Sequence, residues 1–517
     1  MQQQHDILLR LPQVLARFPV SKSTWYAGIK TGRYPAPVHI APRAVAWRSN
    51  DIQTLIDAGD IRLSNSWITI TPNSQGDWIN QRDNSFSQLI SLGDKKNKDA
   101  SVVFSMHSNG VITSRDAWVY SHGRKQLIAN VRRMIGFYNS EVKRYEKMSL
   151  EAASSLDVDG FVNRDSSKIS WGINLKKGLE KGITREIDEQ RVIQSLYRPF
   201  TAQWLYADKN FNHSLYSMPK IFPGVSTPNR VICTTGKGEA TGFSCLIADK
   251  IPNYHLIATG QCFPLYLYGG TDDFVDVSAD GQHELLPLKV PANDNGDYIR
   301  HYALTDEGLT HFQLAYPTEQ ISKEDVFYYV YGLLHSDEYR EKYADNLSKE
   351  LPRIPQVKAA IDFWVFSNAG RDLADLHLNY EAVAMYPATI IGGGGANDED
   401  YRVEKMKYGA KKDRTVLHYN SKITVKDIPL EAYEYVVNGK PALDWVVERQ
   451  CVSTHKDSGI VNDANDWAID TMHNPKYPLE LFLRVITVSL ETMKIVRALP
   501  SLELLEATPT EELASTD

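Results

Sequence analysis

The chain has 517 residues, of which 42% are apolar and 23% charged, a balance typical of a globular protein with roughly two to four domains. No stretch approaches the ~20 uninterrupted apolar residues of a membrane span, and the opening MQQQHDILLR lacks the apolar core of a signal peptide. The cysteines are scattered without a C-x-x-C pair, which argues against a zinc site and a disulfide framework and predicts a reduced, cytoplasmic protein; they are Cys233, Cys245, Cys262 and Cys451.

The net charge of −7 is unevenly distributed along the chain. Residues 1–60 contain seven basic and four acidic side chains, a net charge of +3, so the remaining residues carry −10. A basic N-terminal segment on a mildly acidic body suits contact between that segment and phosphate groups.

Residues 1–59 predict a small domain that begins with two short helices. Pro12 opens an apolar pattern suited to a first helix, because the missing N–H of proline costs nothing at a helix start. Ser21 can cap a second helix that runs to about Thr31, with Trp25 on its inner face. Two short helices across a three-residue turn form a helix-turn-helix, in which the polar start of the second helix points toward the major groove of DNA. For base contacts this pattern selects Lys22, Ser23, Thr24 and Tyr26.

Two strands and a third helix complete this predicted domain. The segments RYPAPVHI and RAVAWR are expected to pair as a wing, and Ser49 begins a third helix that ends near Gly59. The basic residues in and around these segments are predicted to contact phosphates; they are Lys30, Arg33, Arg43 and Arg48. Since any small helical unit shows such caps and faces, the pattern by itself also allows a purely structural interpretation.

Four motifs occur in order and without a gap within residues 7–57: LLRLPQV, SKSTWY, GRYPAPV and AVAWRSNDI. Together they resemble the AlpA family of phage and prophage regulators, which is related to excisionases and to the winged helices of MerR-type proteins. The resemblance implies a domain that binds a specific DNA sequence in order to repress, activate or help excise a mobile element. It implies no catalysis.

A short polar linker, residues 60–66, is expected to lead into a large body. Asn109-Gly110, a dipeptide favoured in two-residue turns, predicts a hairpin within residues 101–121. Residues 125–147 predict a long helix with an apolar stripe toward the core and a basic face that either follows DNA or is simply solvated. Residues 195–232 are rich in aromatic side chains, which favours a packed β core over a base-stacking surface.

The C-terminal part of the body is expected to be more helical. Ser322 caps one predicted helix, a second follows from about Asp337, and residues 478–498 form a final helix with an apolar face. We therefore predict the α+β class: a winged helix-turn-helix head and a large mixed α/β region that is strand-rich over residues 67–300 and helix-rich over 301–517.

Several stretches of the body occur in one order along residues 67–497, among them TPNSQGDWINQR, SNGVITSRDAWVY, SLYRPFTAQWLY, GIVNDANDWA and YPLELFLRVITVSLETMKIV. They resemble the C-terminal specificity region of Type ISP restriction-modification enzymes. In that family one chain joins a nuclease, an ATP-driven translocase, an adenine-N6 methyltransferase and a target-recognition domain. The resemblance implies that the body reads a short asymmetric DNA site and positions an adenine for flipping.

The catalytic motifs of those enzymes do not occur in this sequence. The glycines of TTGKGEATG and IIGGGGAND lack the G-x-x-x-x-G-K-[ST] spacing that cradles phosphates. Residues 474–477, NPKY, have lysine where the methyltransferase tetrad has its second proline, and indicate a turn before the last helix. Acidic clusters lack nuclease spacing, and the isolated histidines indicate structural hydrogen bonding; they include His107, His122 and His335.

We therefore predict a non-catalytic protein that binds double-stranded DNA without a cofactor or metal. One alternative is a specificity subunit that acts in trans with separate adenine-N6 methyltransferase or nuclease chains, which an exposed apolar patch near Trp67 to Trp78 would favour. Another is a truncated restriction-gene remnant in which only the head works as a transcriptional or excision regulator. A body without tight packing would favour that second alternative.

Overall fold

The computed structural model describes residues 7–505 except 19, 33, 42–43, 59–70, 98, 153–156, 225–226, 270–287, 291–297 and 394–396. The chain divides into two compact units, Met1–Ile79, called the head below, and Asn80–Asp517, called the body. Both units mix helices with strands, in agreement with the predicted α+β composition. The predicted linker, residues 60–66, lies outside the described residues, and the predicted division of the body near residue 300 stays a prediction.

The head combines short helices with a small antiparallel sheet. Its described helices are Leu11–Arg17, Lys22–Lys30 and Ser49–Ala58. Its described strands are Leu8–Leu9, Val38–Ala41 and Ala44–Arg48. Ala44–Arg48 is the central strand and pairs antiparallel with both others.

Aromatic rings form the core of the head. The fully buried Trp25 stacks on Tyr34 with ring centroids 4.9 Å apart and meets Trp47 edge-on at 5.9 Å, so its predicted inward position is confirmed. The Tyr34 ring lies against Gly28, where any Cβ would overlap it, so the helix needs glycine at this position. Ser21 accepts a hydrogen bond from the Thr24 N–H at 3.1 Å, as predicted for the helix cap.

The body contains one very long helix and several of medium length. Its described α-helices of at least eight residues are Arg124–Ala152, Ile173–Glu180, Asp306–Ala315, Lys323–Leu333, Ala360–Leu378, Ala442–Arg449 and Tyr477–Arg497. Its shorter α-helices are Asp116–Val119, Val158–Phe161, Met218–Ile221, Asp337–Lys342, Ala344–Leu347 and Ala464–Asp466. None of the helices in the described part of the chain is long and apolar enough to cross a membrane.

The body strands form several small sheets. In spatial order, the larger ones are Cys245–Ala248, Val231–Thr234, Gln261–Pro264, Ser108–Asn109; then Ile251–Pro252, Val192–Arg198, Thr201–Tyr206, Tyr120–Ser121; and Thr389–Ile391, Thr424–Lys426, Leu417–His418, Lys407–Tyr408. A three-stranded sheet is ordered Tyr266–Gly269, Tyr298–Tyr302, Leu288–Val290. Two-stranded pairs are Ile90–Ser91 with Arg353–Ile354, Val436–Val437 with Lys440–Pro441, and Val452–Thr454 with Val461–Asp463.

Two apolar clusters hold the body together. In one, the inner stripe of Arg124–Ala152 packs against the sheet that contains Thr201–Tyr206 and against Tyr477–Arg497, which confirms both predicted helices. In the other, Lys323–Leu333 crosses Ala360–Leu378 where Gly332 and Gly370 let the backbones touch. The predicted cap of Lys323–Leu333 is present, with Ser322 and Asp325 bonded reciprocally.

The hairpin predicted at Asn109-Gly110 does not form. Ser108–Asn109 pairs instead with Gln261 and Cys262, some 150 positions further along the chain. Gly110 lies against the backbone of Asn253, where a Cβ would come within 2.7 Å of the carbonyl group. The glycine therefore serves a close approach between distant segments rather than a two-residue turn.

Candidate nucleic-acid interface

The outer face of helix Lys22–Lys30 brings together five of the predicted site residues. Their side chains are all exposed, while the opposite face carries the buried Trp25; they are Lys22, Ser23, Thr24, Tyr26 and Lys30. Arg48 is also exposed, at the end of the central strand. Arg33 and Arg43 lie outside the described residues.

The cap of this helix already engages two of the predicted base-contacting hydroxyls. The Oγ of Ser21 lies 2.8 Å from the Oγ of Ser23 and 2.7 Å from the Oγ1 of Thr24. These contacts fix both rotamers, and each hydroxyl oxygen keeps a lone pair for a further hydrogen bond. The first turn therefore presents an ordered row of polar groups beside the ammonium group of Lys22.

The basic face of helix Arg124–Ala152 is largely occupied by the protein itself. Arg132 forms an ion pair with Glu189, and Arg144 forms one with Glu141 at 2.6 Å. The guanidinium group of Arg133 lies over the Trp118 ring, 4.9 Å from its centroid. These contacts favour the solvated-face interpretation of the helix over a role in following DNA.

A small depression on the body carries positive charge without acidic side chains in its wall. It encloses about 290 Å³, and its basic residues are Lys177, Lys181, Arg185 and Lys209. Arg185 is anchored by its backbone, because its N–H and C=O groups each bond the Asn139 side chain at 2.8 Å. We call these four residues the basic depression. Sequence analysis missed it, although three of its members recur every four residues.

The largest cleft of the body has balanced charges. It encloses about 1220 Å³, and its walls contain four cations and four carboxylates, namely Arg191, Lys209, Arg230, Lys250, Asp188, Asp249, Glu324 and Asp375. Arg191 is bound to Asp188 at 2.9 Å and to Asp208 at 2.7 Å. This cleft therefore offers little net attraction to a phosphate chain, in contrast to the basic depression.

The predicted structural role of the isolated histidines is supported by their surroundings. His107 contacts Gln261 at 3.1 Å and His122 contacts Asn462 at 3.0 Å, and burial lowers the pKa of each ring to about 4. His335 is likewise buried, and its Nδ1 lies 2.8 Å from the Tyr331 carbonyl oxygen. The described part of the chain contains no group of three or more His, Cys, Asp or Glu residues placed to hold a metal ion.

The arrangement of the body matches a known family. Residues 102–481 match the model of the Type ISP C-terminal specificity domain. The chain belongs to this specificity-domain family. Residues 7–58, within the head, match the model of the prophage CP4-57 regulatory protein AlpA. No curated protein sequence gives a significant match.

Solved structures of Type ISP enzymes resemble the same region. A nuclease-deletion mutant of LlaGI in complex with a DNA substrate mimic is 32% identical with a TM-score of 0.71, covering 91% of this chain and 40% of that one. ATP-dependent LlaBIII bound to DNA is 32% identical with a TM-score of 0.72, covering 88% of this chain and 27% of that one. A DrdV–DNA complex is 29% identical with a TM-score of 0.68, covering 91% of this chain and 43% of that one. The Type ISP specificity-domain chain thus spans less than half the length of these relatives.

Proposed function

We propose that this chain is a sequence-specific DNA-binding protein whose body reads a short duplex site and which carries out no catalysis itself. The observation that carries the proposal is the Type ISP specificity-domain match over residues 102–481, together with 32% identity to two enzymes solved with DNA. The matched region of those enzymes is less than half of each chain. The absence of translocase and methyltransferase motifs from the sequence supports the non-catalytic assignment.

In the body, the basic depression is the surface best suited to the DNA backbone. Its four cations face no carboxylate within the same wall, so their charge is available to phosphates. Phosphate contacts of this kind hold the register of a protein on the duplex, while polar side chains nearby read base edges.

In the head, helix Lys22–Lys30 acts as the recognition helix of a winged helix-turn-helix. Lys22, Ser23, Thr24 and Tyr26 contact base edges in the major groove, and Lys30, Arg33, Arg43 and Arg48 contact phosphates. The AlpA match and the exposure of every described member of this set support the assignment. The head thereby supplies a second DNA contact on the same chain, which raises the effective concentration of the body near its site.

A specificity subunit that acts in trans with separate methyltransferase or nuclease chains is the second candidate. Trp78 and Ile79, at the C-terminal end of the head, are 60% and 75% exposed, as expected of a surface that another chain covers. Trp67 lies outside the described residues. The remnant alternative is less favoured, because the body buries large rings completely, among them Tyr206, Tyr329 and Phe104.

Binding-site selection from a random duplex pool with the full chain tests the proposal. Recovery of a short asymmetric motif would support a working specificity module. Recovery of no motif at near-physiological salt would contradict it, since sequence-specific binding exceeds non-specific binding by roughly 10³-fold or more.

A further inference from the structure

A polar pocket on the body, separate from the basic depression, surrounds a buried arginine. The pocket encloses about 500 Å³ and is lined by residues 111–118, by Ser166 and Ser170, by residues 253–255 and by the loop that contains His455 and Ser458. We call it the Arg115 pocket. Ser166 donates a hydrogen bond to the Asp457 carbonyl oxygen at 3.0 Å, which ties two walls of the pocket together.

Arg115 has no counter-ion among the described residues. It is 7% exposed, and its Nε and Nη1 atoms are buried without a hydrogen-bond partner. Burial is the one cause that shifts its pKa, which it lowers to about 10, so no neighbouring carboxylate compensates the loss of water. A buried, unpaired guanidinium group is costly in a folded protein, which indicates that its partner arrives from outside.

The acidic residues of the pocket do not neutralise Arg115. The carboxylate of Asp116 accepts a hydrogen bond from Tyr197 OH at 2.9 Å and lies 3.7 Å from Arg198. The Thr113 hydroxyl also donates to it. Asp457, the other acid in the wall, has an exposed side chain that forms no ion pair with Arg115. The positive charge of Arg115 is therefore directed to the pocket.

Neutral hydrogen-bond donors complete the lining. Serine hydroxyls come from four positions, Ser114, Ser166, Ser170 and Ser458. The Nδ1 of His455 accepts the Ser458 N–H at 3.2 Å, so the neutral ring carries its proton on Nε2 as a donor. Burial lowers the pKa of His255, which keeps that ring neutral as well. One cation with several neutral donors matches an anion of a single negative charge.

We propose that the Arg115 pocket binds one backbone phosphodiester of the DNA that the body recognises. This inference rests on the DNA-binding function proposed above. A phosphodiester carries one negative charge, which Arg115 balances, and its oxygens accept bonds from the hydroxyls and imidazoles. Free phosphate carries about −1.5 to −2 charges at neutral pH and would remain partly uncompensated here.

Gly172 fixes the guanidinium group in this pocket. The Nη2 of Arg115 lies so close to Gly172 that a Cβ would overlap it. Gly172→Ala therefore displaces the guanidinium group while the positive charge is retained. Arg115→Met removes the charge and keeps an unbranched side chain of similar length.

The test measures binding of the full chain to a duplex carrying its selected motif, at several salt concentrations. Arg115→Met should weaken binding about tenfold and reduce the slope of log Kd against log salt by about 0.9, the value for one phosphate contact. Gly172→Ala should weaken binding with little change in that slope. Arg497→Gln is the matched control, because Arg497 is paired with Glu434 and should leave both quantities unchanged. The melting temperature of Arg115→Met should equal or exceed that of the wild type, since an uncompensated buried charge is removed.

Single methylphosphonate substitutions along the duplex identify the contact. One neutralised phosphate should weaken wild-type binding about tenfold and have no effect on Arg115→Met. Equal affinity and equal slope for Arg115→Met and wild type would overturn the inference. So would saturable stabilisation of the wild type by millimolar inorganic phosphate that Arg115→Met lacks, because the pocket would then bind free phosphate. Failure of the wild type to bind any duplex would instead overturn the proposed function.

Discussion

A decrease in pH from 7 to 5 should destabilise the body through His377. This ring is buried between three helices, with its Nδ1 2.7 Å from Tyr331 OH and its Nε2 2.9 Å from the Thr492 Oγ1. Burial lowers its pKa to about 3, so the folded protein keeps the ring neutral throughout this range. An unfolded chain has an ordinary histidine pKa of about 6.5.

The sign of the effect follows from these two values. Below pH 6.5 the unfolded chain binds a proton that the folded protein does not, so the free energy of unfolding decreases as the pH falls from about 6.5 toward 3. At pH 5 the gap of about 1.5 pKa units corresponds to about 2 kcal/mol. His107 and His122, whose pKa values burial lowers to about 4, act in the same direction.

Urea unfolding of the full chain at pH 7 and pH 5 isolates the contribution of His377. His377→Gln keeps a polar side chain but cannot titrate, so its loss of stability between the two pH values should be about 2 kcal/mol smaller than that of the wild type. His418→Gln, at an exposed histidine, is the control and should follow the wild type. Equal losses for wild type and His377→Gln would refute the reasoning.

Three further results are expected. Combining Lys22→Ala with Thr24→Ala should change the sequence preference of the head, as measured by selection from a random pool; an unchanged motif would show that the recognition helix is misplaced. Gly28→Ala should destabilise the head by about 1–3 kcal/mol, because the new Cβ overlaps the aromatic ring packed on that helix, and should leave the main unfolding transition of the body unchanged in calorimetry. Combining Lys177→Ala with Lys181→Ala should reduce the slope of log Kd against log salt by up to about 1.8, whereas an unchanged slope would exclude the basic depression from the DNA interface.

Local signals in the sequence predicted the helices well. Ser21 and Ser322 mark helix starts because a hydroxyl can satisfy the free N–H groups of a first turn, and both caps are present. Trp25 and the inner stripe of Arg124–Ala152 were predicted from helical spacing, and they are buried. These features depend on residues a few positions apart, which a sequence displays directly.

Contacts between distant segments were not predictable in this way. Asn109-Gly110 carries a turn signal, yet the strand it belongs to pairs with Gln261 and Cys262. The same two strands bring the thiols of Cys233 and Cys262 to 3.7 Å, although the cysteines are scattered in the sequence. The pairing partners of a short strand are set by packing of the whole body rather than by its own residues.

The functional surfaces of the body have the same origin. Arg115 is followed by Asp116, and adjacent opposite charges suggest that each neutralises the other. In the fold the carboxylate instead faces Tyr197 and Arg198, which leaves the guanidinium group buried and unpaired. Likewise, the basic depression is completed by Lys209, which follows a different strand from the segment that contains its other members.

The most direct test of the account is binding-site selection with two proteins in parallel, the full chain and its Lys22→Ala, Thr24→Ala variant, at near-physiological salt. The account predicts that the variant still enriches a short asymmetric motif, because the body reads DNA independently of the head surface. If the variant enriches nothing while the wild type enriches a motif, the head is the sole reader and the central claim about the body is wrong.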